Sequence, residues 1–144
     1  MANNEYFSKS APDPVGAYPH SRQAGDFLFL SGVGPRTPGT NEIPGNIYDD
    51  SGKLLDYDFE SQCHAVFKNV KEILSSSKAH WQDLVDITVF ITDMKKDFAT
   101  FNEIYSNYFS EHRPCRTTVE VGSLPTDIAI ELKCIAHVNT EDTA

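Results

Sequence analysis

The 144-residue chain has no long hydrophobic run. Nothing in it approaches the roughly 20 consecutive apolar residues of a membrane-spanning helix, so insertion in a bilayer is not expected. Cysteine is scarce: Cys63, Cys115 and Cys134 are an odd count without a C-x-x-C spacing. A disulfide framework is thereby excluded, and the three thiols read as small apolar residues of a reducing compartment. The five histidines, His20, His64, His80, His112 and His137, form neither H-E-x-x-H nor H-x-E. Pro114-Cys115 begins like the P-C-x-x-C of zinc deaminases, but Thr118 stands where the second cysteine belongs, so no metal site is expected. No G-x-S-x-G elbow is present, and the glycine cluster "SGVGPRTPG" lacks the lysine of a phosphate-binding loop. Basic residues are outnumbered, 12 Lys+Arg against 21 Asp+Glu, for a net charge of −9. Such a surface repels phosphate backbones and disfavours nucleic acid as a partner. "MANNEYFSKSAPDP" lacks a basic stretch followed by an apolar block, so the expected location is the cytoplasm.

The hydrophobic fraction of 40% and charged fraction of 23% fit one globular domain spanning residues 1–144, with loose ends at 1–14 and 139–144. "DFLFLSG", residues 26–32, reads as a strand, and the Pro, Gly, Asn and Asp residues of 33–55 as a long loop with short extended pieces. From Asp58 the apolar spacing becomes three and four: Phe59, Cys63, Val66, Phe67, Val70, Ile73 and Leu74 form one stripe of a helix capped by Asp58 or Asp56. "LVDITVFI", residues 84–91, alternates and reads as a strand with Val85, Ile87, Val89 and Ile91 on one face. Asp97 is the expected cap of a second helix whose stripe is Phe98, Phe101, Ile104, Tyr105, Tyr108 and Phe109. Strands at 116–121 and 128–138 complete an α+β order, one sheet with two helices on one face. The opposite face also carries apolar side chains, and self-association is the simplest way to cover it.

Two charged residues sit where a strand resists them. Arg116 opens a β-branched run, and Glu131 lies in the middle of the last strand. The ordinary reading of each is a solvated side chain or a surface ion pair. The alternative is a guanidinium fork gripping a carboxylate, beside an acid/base carboxyl. Glu120 competes with Glu131 for the second role, since it alternates onto the face of Arg116 and Thr118. Arg22 and Arg36, near loop ends, are surface charges or seats for a second anion.

These residues lie in segments with a known pattern. "RPCRTTVEVGSLPTDIAIELKCIAHV" fits P-x-R-x-x-V-E-V-x-x-L-P followed by I-E-[IL]-x-x-I-A, and "FLFLSG", "DLVDITVFITDM" and "FNEIYSNYF" match further segments in order. The chain from Val15 to Val138 resembles the Rid (YjgF-like) enamine/imine deaminases. That resemblance implies a chorismate-mutase-like mixed sheet with two helices packed on one face, assembled as a homotrimer with clefts between subunits. It implies cofactor-free deamination in which Arg116 binds the substrate carboxylate and Glu131 orients or activates water. Tyr18, Ser31, Gly32 and Thr118 would line the cleft.

Departures from the pattern narrow the expectation. The chain reads "GAYPHSRQAGD" where many members read G-P-Y-S-Q-A, and Thr118 where many carry cysteine. P-H-x-R-x-A-G-D together with S-G-x-x-x-R-x-P resembles the 2-aminomuconate deaminase branch. The expected reaction is then 2-aminomuconate to its 2-oxo product and ammonia, with Arg36, or else Arg22 or His20, on the distal carboxylate. A general 2-imino acid deaminase is the alternative, and a noncatalytic protein that binds carboxylated metabolites is the other.

Overall fold

The structure, a computed structural model, describes residues 4–138. The chain runs β1 (Glu5–Tyr6), β2 (Ser21–Ala24), β3 (Phe27–Leu30), β4 (Ile47–Tyr48), β5 (Leu54–Asp56), α1 (Phe59–Ser76), β6 (Leu84–Ile91), α2 (Met94–Tyr108), β7 (Cys115–Glu120) and β8 (Ile130–His137). Six strands form one sheet in the order β1-β2-β3-β8-β6-β7, and β4-β5 is a separate hairpin. Among the described residues only β6 and β7 pair in parallel, joined through α2, as a parallel pair needs a crossover. The fold is the mixed α+β arrangement read from the sequence.

The strands β3, β6 and β8 bury alternate residues against the helices. Leu28 and Leu30, Ile87, Val89 and Ile91, and Ile130, Leu132, Cys134 and Ala136 share one core with Phe67 and Val70 of α1 and Phe101 of α2. At about 25 cal/mol per Å² of apolar surface removed from water, each of these larger side chains contributes roughly 1.5–3 kcal/mol. The other face keeps Phe27 and Phe29 exposed, together with Val119.

Asp58 is the N-cap of α1, its carboxylate accepting from the Ser61 N–H. The second helix begins earlier than expected. Asp93 caps it by accepting from Lys96 N–H, and Asp97 lies inside, buried, with Tyr57 Oη donating to Oδ2 at 2.6 Å. Local spacing misplaced this cap because the aromatic stripe starts one turn into the helix.

Val85 does not share the buried face of Ile87, because the register of β6 against β8 shifts between Leu84 and Asp86 and turns Val85 outward. Within the end expected to be loose, residues 1–3 lie outside the described residues, and Glu5–Tyr6 form β1 paired with β2, which the sequence did not reveal in its polar "SRQA". Gly25, at φ +61°, makes the tight β2–β3 turn. Cys63 and Cys134 are buried as expected, whereas Cys115 is exposed on the outer strand β7. The expected tail at 139–144 falls outside the described residues. No helix among the described residues is long and apolar enough to cross a membrane.

Candidate active site

The strand β3 ends at Leu30, and the chain continues through Ser31 and Gly32 to Val33, which exchanges two backbone hydrogen bonds with Leu132, 2.8 and 2.9 Å long. That bridge sets Gly32 beside Glu131, the residue preceding Leu132. A β-carbon on Gly32 would lie 3.0 Å from Glu131 Cδ and 3.1 and 3.2 Å from its carboxyl oxygens. Glycine is what lets the carboxyl lie against the backbone here. Glu131 is half-buried on the sheet face opposite the helices, and burial pushes its carboxyl above the usual carboxylate value.

Tyr18, His20, Ser31, Gly32 and Arg36 line one pocket, together with Pro12, Pro14 and Val33. Five of the residues singled out in the sequence therefore meet in space, with Glu131 adjoining through Gly32. Ser31 Oγ donates to Pro19 O at 2.7 Å, and its N–H to His20 O, which ties the wall to the preceding loop. Tyr18 is exposed, its hydroxyl accepting from Val15 N–H at 3.2 Å.

His20 is buried and both ring nitrogens are used by the backbone. Ser8 N–H donates to Nδ1 at 2.8 Å, so Nε2 carries the proton and donates to Pro12 O at 2.7 Å. His20 thus orders the pocket wall and has no ring nitrogen left for an anion. Arg22, on β2, is ion-paired with Glu5 across the β1–β2 ladder, on an exposed surface. Arg36 keeps its place in the pocket: Nη1 donates to Asn41 Oδ1 and Nη2 to Asp13 O, each at 2.7 Å. Both acceptors are neutral, and among the described residues no carboxylate pairs with it.

Arg116 and Thr118 are elsewhere. Arg116 lies opposite Ile87 in the parallel β6–β7 ladder and so points to the helix face. Its guanidinium carbon is 4.7 Å from the Tyr105 ring centroid and 5.2 Å from that of Phe101, both on α2, and Nη2 donates to Asn102 Oδ1 at 2.8 Å. Aromatic faces and an amide oxygen hold the cation without a carboxylate among the described residues. Thr118 Oγ1 and Tyr105 Oη, on the same side, are buried without hydrogen-bond partners, and burial raises the Tyr105 phenol to about 12. Asn102 is a contact the sequence reading missed. Its only signal was a polar residue beside Phe101 in the α2 stripe.

Glu120 is not an equivalent of Glu131. Its Oε1 accepts from Met94 N–H at 2.9 Å, satisfying one of the free donors at the start of α2. Among the described residues no group of three or more His, Cys, Asp or Glu stands close enough to hold a metal ion.

Residues 8–138 match the family described as Endoribonuclease L-PSP. A RutC family protein of Pyrococcus abyssi is 38% identical over 137 residues, 95% of this chain and 98% of its own length. Reactive Intermediate Deaminase A, chloroplastic, of Arabidopsis thaliana is 36% identical over 129 residues, 90% of this chain and 63% of the relative. The crystal structure of Escherichia coli TdcF with bound serine aligns at a TM-score of 0.81 and 34% identity, covering 94% of this chain and 99% of that one. With a match that spans nearly every described residue and relatives above 30% identity over most of their length, the chain belongs to the Rid/YjgF/L-PSP family.

Proposed function

We propose that this protein is a cofactor-independent hydrolytic deaminase of small carboxylated imines and enamines. The observation that carries this reading is the half-buried carboxyl of Glu131, lying against Gly32, which lines a pocket together with Tyr18 and Ser31. A carboxyl raised by burial is matched to proton transfer nearer neutral pH than an ordinary one. Relatives named for deaminating reactive intermediates favour the same chemistry. Cleavage of RNA, which the family description names, is disfavoured, because a chain of net charge −9 is poorly suited to a polyanion.

In the proposed reaction an enamine first tautomerises to the imine. Water attacks the carbon of the protonated imine while the Glu131 carboxylate takes a proton from it, giving a neutral carbinolamine. The Glu131 carboxyl returns that proton to nitrogen, the carboxylate then takes the hydroxyl proton as the C–N bond breaks, and ammonia and a 2-oxo acid leave. Positioning and proton transfer are the protein's contributions, the latter typically worth 10²–10⁴-fold. Arg116 is the proposed seat of the substrate carboxylate, since a half-buried guanidinium without a carboxylate partner has donors to spare for one.

The cleft is proposed to be shared between copies. Arg116 and Glu131 face opposite sides of the sheet, β7 is an edge strand, and the exposed Phe27, Phe29 and Val119 offer an apolar surface for self-association. A homotrimer is the assembly expected from the family resemblance. Arg36 and Tyr18 would then complete the substrate side, with Thr118 beside Arg116. The narrower 2-aminomuconate reading would employ Arg36 on a second carboxylate. The relatives' names favour the general reading. The cytoplasm is the proposed location of this protein, on the composition of its N-terminal residues.

The test is ammonia release from 2-imino acids generated in situ by an amino acid oxidase. Acceleration over the uncatalysed rate, lost in Glu131→Gln, supports an enzyme. Carboxylate binding without acceleration, unchanged by that substitution, would make the protein a binding module.

A further inference from the structure

Two side-chain amides lie on the buried side of α1, Gln62 and Asn69, fully and almost fully buried. They are seven residues apart, two helical turns, and so share one face of the helix. Asn69 is spent on the pocket wall, and Gln62 on the segment that leads into β8. Asn69 Nδ2 donates to both Gly34 O and Arg36 O, at 2.9 Å each, and pins the segment that follows Gly32. Gln62 Oε1 accepts from Ala129 N–H at 2.8 Å, two residues before Glu131. Its Nε2 donates to Asn46 Oδ1 at 3.2 Å, and Asn46 Nδ2 in turn donates to Asp127 O at 2.9 Å and to Tyr48 Oη at 3.1 Å.

We infer that Gln62 and Asn69 are positioning residues, through which one rigid helix fixes the Glu131 strand and the Gly32–Arg36 segment relative to each other. A buried amide is costly unless its hydrogen bonds are met, and here main-chain groups of the two segments meet Asn69 Nδ2 and Gln62 Oε1, while the Asn46 side chain meets Gln62 Nε2. The β3–β8 ladder and the Val33–Leu132 bridge pair the two segments edge to edge. Two further anchors from a common helix hold them from the core side. The division of labour is specific: Gln62 governs where the Glu131 carboxyl sits, and Asn69 governs where Arg36 sits. This inference rests on the proposed catalytic role of Glu131, and its test carries a readout that does not depend on turnover.

The experiment follows the Glu131 carboxyl by carbon-13 NMR titration, assigned with Glu131→Gln, and measures kcat and KM on in-situ imines for the intact protein, Gln62→Met and Asn69→Leu. In Gln62→Met the carboxyl should leave its seat and gain water, moving its titration down toward the ordinary range. Its kcat should fall about tenfold with KM nearly unchanged. Asn69→Leu should leave the Glu131 titration in place and raise KM instead. Folded variants with unchanged titration and unchanged constants would overturn the inference.

Should Gln62→Met fail to fold, Gln62→Glu gives the answer. A protonated carboxyl at position 62 can still donate to Asn46 Oδ1 and accept from Ala129 N–H, whereas the ionised form cannot donate. Its activity relative to the unsubstituted protein should therefore rise as pH falls, and a pH-independent ratio sinks the idea. A shift of the Glu131 titration in a protein without imine turnover would refute the deaminase reading alone. Turnover without any shift would refute the positioning role alone.

Discussion

Arg116 and Glu131 project from opposite faces of the same sheet. Arg116 stands opposite Ile87 on the helix side, and Glu131 stands opposite Phe90 on the open side, with β6 between them. Within one chain the proposed carboxylate seat and the proposed base cannot enclose one small substrate from these positions.

Mixing copies tests the consequence. Arg116→Ala and Glu131→Gln should each be inactive alone, yet subunits unfolded together and refolded as an equal mixture should recover about a quarter of full activity, at clefts drawing one intact group from each copy. A site contained in a single chain would recover nothing.

Glu131→Gln should cost roughly 10²-fold or more in kcat, the usual scale for a general base. It should not cost stability. Burial alone raises this carboxyl, so ionising it at neutral pH opposes folding, and the neutral amide removes that opposition. Thermal unfolding should show a Tm equal to or a few degrees above that of the unsubstituted protein.

The pH profile carries the same sign. The base works as carboxylate, so kcat/KM falls as pH drops through its folded pKa, which burial places above the ordinary 4.5. Between 4.5 and that folded value stability declines as pH rises, because the folded chain keeps a proton that the unfolded chain releases. An acid limb at or below 4.5 would remove Glu131 from the role.

Gly32→Ala should reduce kcat about tenfold or more while leaving Tm within a few degrees. The new methyl meets the end of a flexible side chain, so the fold accommodates it by moving the Glu131 carboxyl. Unchanged kinetics in this variant would mean that the seat against Gly32 is irrelevant.

Arg116→Lys should raise KM about tenfold or more and not be rescued at higher pH, since an ammonium reproduces neither the planar fork nor the stacking on Tyr105 and Phe101. Binding of a simple carboxylate, followed by calorimetry, should weaken in parallel.

The sequence by itself determined α1, the span of β6 and the positions of Arg116 and Glu131 in strands, because period 3.6 and period 2 are local consequences of burying one side of an element. It also marked the residues of the pocket, through motifs rather than spacing. The tertiary structure decided what local pattern cannot encode. A register shift turned Val85 out of the face it was assigned to by alternation. The cap of α2 fell to Asp93, and Asp97 went inside against Tyr57. Among rivals alike in the sequence, hydrogen bonds made the choice: Glu120 spent on the start of α2, Arg22 on Glu5, His20 on two backbone groups. Which polar group remains free for chemistry depends on which partners reach it, and those partners come from distant parts of the chain.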